Sequence, residues 1–80
     1  MTEPLKSETA VGNPLLRVSP RESQVLEMTS QGLTNDEIAR RLNVTTHAVK
    51  FHLASIYRKL GVANRTEAAV LYLRNTGLQS

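Results

Sequence analysis

The chain has no cysteine, no tryptophan, a single phenylalanine and two tyrosines among 80 residues. Without cysteine, neither a disulfide framework nor a thiolate metal site is available. No apolar run approaches the ~18 residues of a membrane span. The amino terminus has no basic stretch leading into an apolar segment, so no secretory leader is expected and the cytoplasm is the expected compartment. Acidic residues are also missing where they would be conspicuous: none lies between Asn43 and Thr66. The net charge of +3 is therefore uneven. Residues 1–42 carry five Lys/Arg against six Asp/Glu, whereas residues 43–80 carry five against one. A basic half on one small domain suits a polyanionic partner.

What is present reads as helix. Residues 1–17, rich in Pro, Gly, Ser, Thr and Glu without a clear period, are expected to be a disordered lead-in or interdomain linker. Leu15, Leu16 and Val18 are candidates for docking onto the domain that occupies residues 18–80. Four helix starts follow. "SPRE" (Ser19 to Glu22) is a capping box with proline at the first helical position, ahead of Val25, Leu26 and Met28. "TNDE" (Thr34 to Glu37) is a second capping box and turns Ile38, Ala39 and Leu42 inward. Thr45 caps a third helix, residues 46–60, and "NRTE" (Asn64 to Glu67) opens a fourth over 65–76. Gly32, Asn43, Gly61 and Gly77 are the expected stops and turns. No segment alternates with period two, so the fold class is all-α.

The second and third helices are separated by only about three residues, Asn43 to Thr45, which makes a helix-turn-helix. Val49, Leu53, Ile56 and Leu60 share one face of the third helix. At roughly 100° per residue, Phe51 lies about 200° from Val49. Its arc runs, in angular order, through Lys50, Ala54, His47 and Arg58 to Phe51. A lysine and an exposed apolar ring match the guanine acceptors and the thymine methyl that the major groove offers, and Ala54 lets a helix lie close to base edges. The third helix alone lacks a carboxylate at its third position, where it has Ala48. A carboxylate there would repel an incoming phosphate.

In order along the chain, "SPRE", "GLTNDEIA", "VKFH", "IYRKLGV" and "NRTEA" resemble the DNA-binding domain of LuxR-type (GerE-like) bacterial transcription regulators over about Val18 to Leu78. The resemblance implies a four-helix helix-turn-helix whose third helix enters the major groove. It implies base contacts by Lys50 and Phe51, with His47 and Ala54 flanking. It implies phosphate contacts by Thr34, Asn35, Thr45, Thr46, Arg58, Lys59, Arg65 and Thr66, and pairing of Glu22 with a basic residue of a neighbouring helix. It departs from the family at Ala48, where threonine is usual, and at Ala54, where some members carry a cation. The fourth helix has more apolar surface than one core needs: Ala68, Leu71 and Tyr72 face inward, while Ala69, Val70 and Leu73 remain. The resemblance makes these three the homodimer contact. The implied partners are double-stranded DNA carrying an inverted repeat, a second copy of the chain, and RNA polymerase.

Two other readings compete. A promoter-reading sigma-factor domain has a similar helix-turn-helix but ends soon after its recognition helix, unlike this chain. A helical protein-interaction module would use Phe51 on a protein partner and bind without salt sensitivity. An enzyme is not expected. His47 and His52 are five residues apart, about 140° round a helix, and do not converge on a metal. Ser19, Ser23 and Ser30 have no implied His–Asp partners, and no glycine-rich phosphate loop occurs, so no metal or cofactor is expected.

Overall fold

A computed structural model describes residues 13–76. Four α-helices follow a short 3₁₀ turn at Pro14–Arg17: α1 (Pro20–Ser30), α2 (Asn35–Leu42), α3 (Thr46–Leu60) and α4 (Arg65–Asn75). Helix α1 packs against the other three, α2 lies on α3, and α3 and α4 also touch. Among the described residues there is no strand, and the all-α expectation holds. The 3₁₀ turn lies against α3, so the folded body begins before residue 18, inside the expected lead-in. Leu15 and Val18 pack on the core, but Leu16 does not dock and is 67% exposed. The rest of the expected lead-in, and the stop assigned to Gly77, lie outside the described residues.

Each helix begins where side-chain caps satisfy its first amides. Ser19 accepts from the Glu22 amide at 3.1 Å, and Glu22 Oε1 accepts from the Ser19 amide at 2.9 Å. Thr34 and Glu37 repeat the exchange at 3.2 and 2.8 Å. At α4 the reciprocal carboxylate reaches one residue further back: Asn64 caps the Glu67 amide, while Glu67 accepts from the Ala63 amide. Helix α3 has only the Thr45 cap, 3.0 Å from the Ala48 amide, and no acid in its first turn.

Three helices end alike. Gly32, Asn43 and Gly61 are left-handed, with φ of 93°, 58° and 70°. The next residue's amide then donates to the carbonyl five residues earlier: Leu33 to Met28, Val44 to Ala39, Val62 to Tyr57. Leu33, Val44 and Val62 pack on the core, the apolar contact that accompanies this ending. Asn43 meets the cost of a left-handed conformation better than most non-glycine residues, which keeps the helix-turn-helix turn tight.

Val25, Leu26, Ile38, Ala39, Val49, Leu53, Ile56, Leu60 and Ala68 form the buried core. The four apolar residues of α3 are all in it, as their spacing predicts. Met28, Leu42, Leu71 and Tyr72 pack at its edge, half-buried. Two polar residues are buried with them, Glu22 and Thr29. Glu22 is only 6% exposed, and its second oxygen and its first receive Ser55 Oγ at 2.7 Å and Lys59 Nζ at 2.8 Å from α3. Ser55 and Lys59 are one helical turn apart, so one carboxylate reaches both.

Burial by itself would raise the Glu22 carboxyl's pKa. The Lys59 hydrogen bond, the Ser19 amide, the Ser55 hydroxyl and the Lys59 charge outweigh it and hold the value at about 2. A carboxyl depressed in the folded state contributes stability above its unfolded pKa and loses it as pH falls toward the folded one. Glu22→Gln is therefore expected to lower stability at neutral pH, on the order of 2–3 kcal/mol. In urea unfolding the gap between the two proteins should shrink to under half by about pH 3, whereas a gap independent of pH would show that packing, not charge, is lost.

Candidate nucleic-acid interface

With Val49, Leu53, Ile56 and Leu60 buried, the opposite arc of α3 is open. His47, Lys50, Phe51, Ala54 and Arg58 are all exposed, and Phe51 is 70% exposed. The order derived from helical spacing is thus the order of the surface. Phe51 and the neighbouring His52 make an edge-type ring contact, centroids 6.2 Å apart and planes at 67°. His52 itself is half-buried, and among the described residues no cluster of His, Asp or Glu is placed to hold a metal.

Beside this arc, the starts of α2 and α3 and the start of α4 border one open groove of about 540 Å³. Thr34, Asn35, Asp36, Thr46, Lys50 and Arg65 line it. Unsatisfied amides of a helix start favour anions, and two such starts face this region. The Thr34 and Thr45 oxygens accept the cap bonds from Glu37 and Ala48, an arrangement that leaves each hydroxyl proton to donate outward.

Other residues of the expected phosphate set already have partners. Thr46 donates its single hydroxyl proton to Asp36 Oδ1 at 2.8 Å. Lys59 lies with Glu22, its side chain 39% exposed. Arg65 donates one guanidinium arm to Asn35 Oδ1 at 3.0 Å and the other to the Leu33 carbonyl. Arg65 therefore holds the α1–α2 loop and the start of α2 onto α4. Arg58 and Thr66 are exposed. The spacing of Asp36 and Thr46 in sequence gave no sign of their bond, and neither did that of Arg65 and Leu33. On α4, Val70 and Leu73 are 43% and 38% exposed and Ala69 is half-buried. An apolar groove of about 490 Å³ runs past Val70 between Pro14 and Val62.

A short helix, a three-residue turn and a longer helix with a cationic, aromatic outer arc define a helix-turn-helix domain. The family model of bacterial regulatory proteins of the luxR family matches residues 17–72, and the chain belongs to this family of DNA-binding transcription regulators. It is 47% identical over 57 residues to the putative HTH-type transcriptional regulator YhjB of Escherichia coli K12, covering 71% of this chain and 28% of that protein. It is 39% identical over 67 residues to the nitrate/nitrite response regulator protein NarP of the same strain, covering 84% of this chain and 31% of that protein. It is 47% identical over 57 residues to the HTH-type transcriptional regulator MalT of Yersinia pestis Pestoides F, covering 68% of this chain and 6% of that protein. The chain thus corresponds to a third or less of each of these relatives' length. Among the described residues no helix is long and apolar enough to cross a membrane.

The two-pronged clamp makes Arg65 a residue of the fold as well as of the surface. Arg65→Ala is expected to cost roughly 1–2 kcal/mol for the two hydrogen bonds lost. Arg65→Lys keeps the charge but not the planar fork, and should recover less than half of that loss in urea unfolding.

Proposed function

We propose that this domain reads an operator by laying α3 in the major groove of double-stranded DNA and pairs with a second copy through α4. Lys50 and Phe51 contact base edges, Lys50 reaching guanine acceptors and Phe51 the thymine methyl, with His47 and Ala54 flanking them. Thr34, Asn35, Thr45, Arg58, Arg65 and Thr66 contact phosphates. Thr46 joins them only by exchanging its present partner, Asp36, whereas Lys59 and Arg65 keep further N–H donors beside their bonds to Glu22 and to Asn35 and Leu33. Ala69, Val70 and Leu73 form the homodimer contact, so that two recognition helices meet an inverted repeat of half-sites about one DNA turn apart. The domain works in the cytoplasm, bound to DNA and in reach of RNA polymerase, and carries no catalytic centre or cofactor.

The observation that carries this reading is the outer arc of α3: the chain's one phenylalanine is 70% exposed beside Lys50, on a helix with no acidic residue. An aromatic ring left in water among cations is poorly explained by folding alone. The family adds that relatives with this domain bear the names of transcriptional regulators. NarP is named as a response regulator, which suits a domain attached to a signal-receiving part.

Selection of bound duplex from a random pool, near physiological salt, tests the reading. Enrichment of an inverted repeat is expected. A featureless pool would remove the base-reading role of α3, and a lone half-site would remove the dimer. With the selected duplex in hand, Lys50→Ala should cost roughly 1–3 kcal/mol and relax preference at one base pair. Arg65→Ala should weaken selected and random duplexes alike and flatten the salt dependence by about one counterion. Leu73→Asp should leave the monomer folded, by circular dichroism, and abolish the advantage of a repeated over a single half-site.

A further inference from the structure

Asp36 is the one acidic residue lining the groove between the starts of α2 and α3, where Lys50 and Arg65 supply the cations. It is not needed to cap its own helix. Thr34 and Glu37 complete the capping box of α2 without it, and Glu37 already supplies a first-turn charge. Instead Asp36 Oδ1 reaches the next helix and takes the hydroxyl proton of Thr46, the first residue of α3, at 2.8 Å. Both residues line the groove that the two helix starts border.

Two consequences follow from one carboxylate. The bond to Thr46 joins the first turns of the two helices directly, and so constrains the angle at which α3 leaves the domain. The charge opposes any phosphate that enters the groove and occupies the hydroxyl that would otherwise donate to it. The first effect matters for a complex that needs Lys50 and Phe51 aligned on base edges. The second weakens any complex held by phosphates alone. We propose that Asp36 is a positioning and specificity-determining residue: through Thr46 it sets the pose of α3, and by its charge it holds down sequence-independent affinity. This inference rests on the reading of α3 as the DNA-reading helix.

Two substitutions separate the parts. Asp36→Asn removes the charge and keeps an oxygen for Thr46. Asp36→Ala removes both. Binding of each protein to the selected duplex and to a random duplex is measured across a salt series, with thermal unfolding by circular dichroism confirming the fold. Asp36→Asn should bind both duplexes roughly three- to tenfold more tightly, with a salt dependence steeper by about one counterion, and keep the parent's ratio of selected to random affinity. Asp36→Ala should gain as much on random DNA but less on the selected duplex, so that the ratio falls several-fold. Thr46→Val, which breaks the bond and leaves the charge, should lower the ratio without the gain on random DNA. If Asp36→Asn leaves random affinity and salt slope at the parent's values, the charge role is wrong. If Asp36→Ala and Thr46→Val keep the parent's ratio, the positioning role is wrong. A parent protein that binds neither duplex at low salt overturns the DNA reading itself, a result distinct from either failure of Asp36.

Discussion

The Glu22 carboxylate is the point on which the geometry of this domain turns. It caps α1 through the Ser19 amide and accepts Ser55 and Lys59 from α3. A carboxylate this buried is tolerated only with its lone pairs satisfied and a cation close by, and the Ser19 amide together with Ser55 and Lys59 of α3 meets both conditions. The apolar stripe of α3 decides which side of the helix is buried, but apolar contact is non-directional and permits rotation and sliding. The three directional bonds at Glu22 limit that freedom. The arc of α3 that meets solvent is His47, Lys50, Phe51, Ala54 and Arg58.

The outer face is built on helix starts whose side chains differ in the bonds they already make. Thr34 and Thr45 act as cap acceptors and keep a proton for an outside acceptor. Thr46 and Lys59 give theirs to carboxylates within the domain. Arg65 divides its donors between the Leu33 carbonyl and Asn35. The same residue types that would grip a polyanion are thus also used to hold three helix starts in register. Charge alone describes such a surface poorly, because part of each cation's donor capacity is already committed within the domain. The lack of a carboxylate in the first turn of α3, and the presence of Asp36 in that of α2, are opposite choices at adjacent helix starts.

Much of this was legible beforehand. All four helix starts were visible as short cap sequences, because a cap is a bond between residues three apart and its partners are written side by side. The left-handed turn residues were equally plain at Gly32, Asn43 and Gly61. Less plain was the apolar residue after each, Leu33, Val44 and Val62, although the pairs "GL", "NV" and "GV" carry the signal. Within the expected lead-in, Pro14–Arg17 forms a turn in which Leu15 packs on the core and Leu16 is exposed. Three apolar residues so close together do not by themselves say which one docks.

The sequence by itself determined the helices, their ends, the buried stripe of α3 and the composition of its outer arc. These follow from the 3.6-residue period and from bonds within a turn or two. Only the tertiary structure decided that Lys59 answers Glu22 across 37 residues, that Arg65 clamps Leu33 and Asn35, and that Thr46 gives its proton to Asp36. Those choices are made between side chains that no local period relates. They exist because packing the helices around one small core brings distant polar groups within bonding distance.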